Sequence, residues 1–270
     1  MTDSSSRKET EDWWRTALIR MEPNQIDIRG HPIEDLIGNI GFVQMIWLCL
    51  RGELPSKDQS RLLEAALVAA VDHGPQAPSI AAARMAATCG VGLNSAMATG
   101  LNMLGDVHGG AGEQAVSLYQ MALSFVDEGD TPDAAAAQAV KRWTADHGKY
   151  MPGFGHRFHT RDPRSPRLIE LVQSAQRKGV VSGRAGDIAL RIEAHLSDIK
   201  GRPIPMNIDG ATAVIYTELG FDAPLARGLF CLSRSVGILA HAWEQTQQGG
   251  RNKGPLPKGH LWTYLKPSEK

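Results

Sequence analysis

Cysteine is scarce in this chain, with three residues, Cys49, Cys89 and Cys231, among 270. Their odd number and wide spacing, with no CxxC pair, argue against a disulfide framework and against a zinc site. They predict buried, reduced thiols and a cytoplasmic protein. Net charge is missing too, since 29 Lys plus Arg face 29 Asp plus Glu. A nucleic-acid partner has no global attraction to draw on, and any anion site must come from a local cluster of cations. The opening MTDSSSRKETEDWW is polar and lacks the apolar core of a signal peptide. No uninterrupted apolar run reaches about 18 residues, so no membrane span is expected. Period-two alternation of β-branched residues is nearly absent, which excludes a strand-rich fold. What remains, 42% hydrophobic and 21% charged residues, is ordinary globular material. At this length it makes one large or two smaller domains.

Helix punctuation is plentiful. Ser56 with Gln59 forms a capping-box pattern opening a run to Asp72, with Gly74 as its stop. Thr131-Pro132 opens an alanine-rich run to about His147, and Ser165-Pro166 one to about Lys178. Ile188, Ile192, Leu196 and Ile199 form a further stripe, and Asp222 with Pro224 begins a long apolar helix reaching about Gln247. The fold class read from these signals is all-α.

Chemistry concentrates in three short segments. Tyr150 to Arg164, YMPGFGHRFHTRDPR, sets His156 after a glycine-rich turn and among basic side chains. Glycines admit close backbone approach, arginines grip carboxylates or phosphates, and histidine moves protons near neutrality. His159 lacks the glycine setting and reads as a loop residue. His108 lies in GDVHGGAGE before an apolar run. It is either a ligand-facing group at a helix start or a histidine satisfied by backbone. Asp209, in MNIDG, reads as an N-cap that is also free to act as a base. Arg234 sits inside an apolar helix and needs a partner, either Glu218, Glu244 or a ligand carboxylate. His73 ends a helix and suits a C-terminal cap.

Assembled in order, these segments resemble the citrate synthase superfamily, most closely its short citryl-CoA lyases and the lyase module of ATP-citrate lyase. PNQIDIRGHPIEDLIG is similar to the family's RGY-type segment. VDHGPQAPSIAAAR is similar to its substrate-histidine helix end, HGGAGE to HGGANE, PGFGHR…DPR to GFGHR…TDPR, and MNID to NVD. The resemblance spans about Trp13 to His241. It implies a citrate synthase-like all-α fold, with a large helical domain from residues 1–110 and 221–270 and a smaller inserted domain from 111–220. It further implies that His108 stabilises the acetyl-CoA enolate, that Asp209 exchanges a proton with the methyl carbon, and that His156 handles the oxygen of the four-carbon partner. His73, Arg164 and Arg234 would hold that partner's carboxylates, with Arg251 offered across a dimer interface. Gly153, Phe154, Gly155, Arg157 and Arg161 would bind coenzyme A.

The implied reaction is cleavage of citryl-CoA, or a related 3-hydroxyacyl-CoA, to acetyl-CoA and oxaloacetate. It needs no metal and no permanently bound cofactor, in at least a homodimer. Such chemistry needs a base and an oxyanion donor, because a thioester methyl is a very weak carbon acid. Four departures from the synthase pattern favour a lyase. The chain is short, one residue is missing between His156 and Asp162-Pro163-Arg164, Gly112 stands where asparagine is usual, and Gly210 follows the acid, which predicts a pocket opened beside it. Two other expectations stand beside this one: a short citrate synthase, and a silent homologue that binds acyl-CoA.

Overall fold

A computed structural model of the protein describes residues 10–156, 159–257 and 259–267. The chain divides into two compact units, Met1–Glu64 and Ala65–Lys270.

The first unit carries strands β1 (Ile19–Glu22), β2 (Gln25–Ile28) and β3 (His31–Pro32) in one antiparallel sheet of order β1-β2-β3. Ile19 pairs with Ile28, and Asp27 with Pro32. The sequence pattern did not predict this sheet, because its strands are too short and too exposed to display alternation. Its signal lies in the turns. Arg29 and Gly30, at φ 50° and 83°, supply the two successive positive φ angles of a tight hairpin loop. The Arg29 guanidinium then donates to the carbonyl of Cys49, at the end of α2 (Phe42–Arg51), which follows the short α1 (Ile33–Leu36). Helix α3 (Lys57–Ala69) opens on the expected reciprocal box. Gln59 N–H donates to Ser56 Oγ, and Ser56 N–H donates to Gln59 Oε1.

In the second unit, α4 (Pro78–Ala87), α5 (Leu93–Leu101) and α11 (Ala223–Gln248) pack together over Ala77, Ile80, Ala83, Ala96, Ile238 and Ala242. Small side chains let these axes approach closely. A Cβ on Gly100 would lie 2.8 Å from Ser79 O. By length and composition α11 could cross a membrane, yet its inner face belongs to this core. The other helices are α6 (Ala111–Asp127), α7 (Pro132–His147), α8 (Arg164–Arg177), α9 (Arg184–Lys200) and α10 (Ile208–Glu218). Helix α10 packs against α6, α8 and α9, and nearly every residue from Ile208 to Tyr216 is buried. Thr131 caps α7 as expected, accepting from Ala134 N–H. Helix α8 begins at Arg164, one residue before the expected Ser165.

The fold is thus helical as expected, with the small sheet as its departure among the described residues. None of the three cysteines is fully buried, contrary to expectation, and all three are free thiols.

Candidate active site

Asp209 depends on Asn207 for its freedom. Asn207 caps α10, its side-chain oxygen accepting from the N–H groups of Asp209 and Gly210 at 2.9 and 3.2 Å. The sequence reading gave that capping role to Asp209, which instead lies inside the first turn. With the cap supplied by a neighbour, the Asp209 carboxylate accepts no hydrogen bond among the described residues. Burial pushes its pKa up, against the opposing pull of Arg234 and Arg164.

The segment preceding His156 crosses the segment preceding Asp209. Phe154 bridges Met206, Gly155 N–H donates to Pro205 O, and Asn207 N–H donates to Gly153 O. Asn207 fastens the crossing, its amide donating to Gly155 O at 2.7 Å. The two chains touch through paired glycines. A Cβ on Gly153 would lie 2.7 Å from Gly210 Cα, and one on Gly210 would lie 2.4 Å from Gly153 O. Gly210 therefore admits the neighbouring backbone and does not open the pocket beside the acid, which corrects the reading from sequence. Gly153 and Phe154 serve this packing and do not line the cavity. Phe154 is buried edge-on against Tyr119.

His108 is fixed from the other side. Its Nε2 lies 3.2 Å from the backbone N of Ser79 and 3.0 Å from Ser79 Oγ. A backbone N–H can only donate, so Nε2 accepts and the neutral ring carries its proton on Nδ1. Burial, followed by the charge of Arg234, lowers the pKa and favours that neutral, donating form. His156 Nδ1 accepts the N–H of His159 at 3.0 Å, which places the proton of a neutral ring on Nε2. His73 stands exposed at the cavity, 6.1 Å from His156, centroid to centroid. Its pKa is lowered by desolvation and then by Arg234 and Arg164.

Arg234 pairs with neither expected glutamate. Glu218 accepts from the amides of Gly183 and Ala185 at the start of α9, and Glu244 pairs with Arg84. Arg234 Nε donates to Ala70 O, and the guanidinium lies 4.9 Å from the Phe230 ring centroid. Its terminal nitrogens have no hydrogen-bond partner among the described residues. Burial, opposed by Asp209 and Asp72, lowers its pKa.

These groups share one cavity of about 430 Å³, lined by His73, His108, Gly155, His156, Asp209 and Arg234 among others. Of the expected binding residues, Arg164 stands behind this wall, locked onto Asp162 through Nε and Nη2 at 2.9 and 2.8 Å. It reaches the site through its charge on His73 and Asp209. Arg161 is exposed outside the lining. Arg251 is exposed beside the Asn252–Lys253 backbone, which is tied to Thr88, and it does not line the cavity. Arg157 lies outside the described residues. The sequence reading missed Ser79, Asp162 and Asn207. Asp162 and Asn207 sit inside motifs already singled out, while Ser79 has no signal beyond its place at a helix start.

The described groups can do a definite kind of chemistry: a desolvated carboxyl, an imidazole fixed as a donor and the Arg234 guanidinium face one space. A family model for "Citrate synthase, C-terminal domain" matches residues 56–255. The citryl-CoA lyase from Hydrogenobacter thermophilus superposes with a TM-score of 0.81 at 32% identity, over 94% of this chain and 96% of that one. The probable ATP-citrate synthase subunit 1 of Schizosaccharomyces pombe is 29% identical over 85% of this chain, which covers 37% of that relative's length. The citrate synthase of Saccharolobus solfataricus is 28% identical over 78% of this chain and 54% of its own. The chain belongs to the citrate synthase family.

Proposed function

We propose that the protein is a carbon–carbon lyase that cleaves citryl-CoA, or a closely related 3-hydroxyacyl-CoA, into acetyl-CoA and oxaloacetate. The carrying observation is the pairing in one cavity of Asp209, whose pKa desolvation pushes up, with His108, whose Nε2 accepts from Ser79 N–H and whose pKa desolvation lowers. In cleavage, His156 takes the tertiary hydroxyl proton and the carbon–carbon bond breaks. The electron pair moves into the thioester as an enolate, whose oxygen His108 Nδ1–H stabilises. Asp209 then delivers its proton to the methylene carbon, for which a raised pKa is suited. To receive a proton on Nε2, His156 must release the His159 N–H from Nδ1. We assign that change to a shift of the His159 backbone away from the ring around substrate. His73 and Arg234 hold the carboxylates, with Arg164 contributing charge from behind.

The coenzyme A thioester is a substrate in this reading, and no resident cofactor takes part. Gly155 and the segment around it would receive the pantetheine arm. Residues 111–220 would act as the smaller domain that closes on the remainder. We further assign a cytoplasmic setting, in keeping with three free thiols, and a homodimer. Leu232, Val236, Leu239 and Trp243 form a stripe on α11 that is 40–58% exposed, the kind of apolar face that pairs with a second copy. Arg251 would reach the partner's cavity.

A short citrate synthase remains the second reading, favoured by the similarity to the Saccharolobus enzyme. Purified protein supplied with citryl-CoA should yield acetyl-CoA and oxaloacetate by mass spectrometry. With acetyl-CoA and oxaloacetate, a thiol reagent should detect almost no free coenzyme A. Rapid thiol release in the second assay assigns the synthase. Binding without turnover in either assay assigns a silent homologue.

A further inference from the structure

Helix α11 carries basic side chains at seven-residue intervals, Arg227, Arg234 and His241, which return to one helix face. The middle one lines the cavity. The outer two do not, yet each grips an aspartate one or two residues before a cavity histidine in sequence.

Arg227 Nη2 pairs with Asp106, two residues before His108, and its Nε makes an ion contact with Glu113 at the start of α6. The turn between is tight. Gly105 N–H donates to His108 O, and a Cβ on Gly110 would lie 2.6 Å from Asp106 O. Shifting Asp106 therefore shifts His108.

His241 Nε2 lies 3.1 Å from Asp72 Oδ1, and Asp72 immediately precedes His73. The Asp72 carboxylate also takes backbone hydrogen bonds from His73 and Gly74. On the other edge of the ring, Arg84 Nη1 sits 3.1 Å from His241 Nδ1. A guanidinium has no acceptor, so Nδ1 receives the hydrogen bond and Nε2–H is directed at Asp72. Arg84 is itself held by Glu244 and Gln248. The helix also approaches this segment closely at Gly237, where a Cβ would lie 2.2 Å from Val71 O.

We propose that Arg227 and His241 are positioning residues which, through Asp106 and Asp72, hold His108 and His73 in register with Arg234. Helix α11 then acts as a common ruler for the oxyanion donor, the carboxylate-binding histidine and the central cation. The kinetic half of this inference rests on the lyase reading, while its geometric half does not.

The test uses the full chain and begins from the acids, because the Asp106 and Asp72 side chains are 81% and 44% exposed and their loss spares the core. Asp106→Ala and Arg227→Met should lower kcat for citryl-CoA cleavage on the order of 10²-fold with KM nearly unchanged, as for displacement of a group that acts in the transition state. Asp72→Ala and His241→Leu should raise KM roughly tenfold with kcat nearly unchanged, the size of one charged hydrogen bond. His241→Gln, whose amide both donates and accepts, should recover most of the lost affinity. Equal losses in both parameters across the two pairs, or losses that follow melting temperature, would overturn the proposal. Hydrogen exchange read by mass spectrometry needs no turnover. The first pair should loosen residues 104–110 alone and the second residues 70–76 alone. If wild-type protein fails to cleave citryl-CoA while these local patterns hold, the substrate reading falls and the positioning role stands. Unchanged exchange in both segments sinks the positioning role itself.

Discussion

The turn at Asp162–Arg164 buries one aspartate, the amino end of α10 holds another desolvated in the cavity wall, and the two are treated in opposite ways. Asp162 is enclosed by the Arg164 fork, the Arg164 backbone N–H and the Ile208 N–H. Burial alone would raise its pKa, but those donors outweigh burial and hold the carboxyl below the ordinary 3.8. Asp209 has arginine charge nearby but no donor touching it among the described residues, so desolvation prevails and its pKa rises. One carboxylate is consumed by structure, while the other is left with a raised pKa and no such partners among the described residues. Contrast of this kind, more than burial itself, marks the acid that performs chemistry.

The sharpest way to break the contrast is to neutralise each acid. Asp209→Asn should cost on the order of 10²–10⁴ in cleavage turnover, with coenzyme A binding retained and thermal stability unchanged or improved. An undiminished rate would remove Asp209 from the mechanism. Next in size is His108→Ala, expected to lower kcat by roughly 10²–10³-fold, as for an oxyanion donor, measured by oxaloacetate release.

The pH dependence sharpens the same comparison. If Asp209 must be protonated to deliver its proton, the cleavage rate falls as pH rises through its elevated pKa, and Asp209→Asn lacks that limb. Asp162 works in the reverse sense. With its folded pKa depressed, its stabilisation is complete above the unfolded value and disappears as pH falls through the folded one. Asp162→Ala should therefore cost about 3 kcal/mol at neutral pH, seen in urea unfolding, with a smaller penalty in acid. Rate loss without stability loss in that variant would reverse the assignment of the two acids. The smallest effect expected is for Gly210→Ala, about 1–3 kcal/mol from overpacking against Gly153, accompanied by reduced turnover as the crossing spreads.

Much of this site was legible beforehand, for a physical reason. His108, His156 and Asp209 announce themselves through short motifs whose glycines the backbone requires. Gly153, for instance, stands at φ 84° against Gly210. Helix limits followed from caps such as Ser56 and Thr131, which act within four residues. Partnerships reaching across the fold were hidden. Arg234 turned to Ala70 and Phe230, while Glu218 went to a helix start 33 residues away. No local pattern encodes such choices. The β1–β3 sheet escaped because four-residue strands carry too few positions for a period, and its turn residues were the only trace.

Asn207 joins a helix cap to a bond with Gly155 across 52 positions of chain. That stitch must close a long loop through α8 and α9, an entropic cost that places the pocket among the features expected to form late as the chain folds. A protein arrested just short of that step would give a full helical signal by circular dichroism and yet be chemically mute. Far-ultraviolet spectra are therefore a poor certificate of activity for variants near this knot.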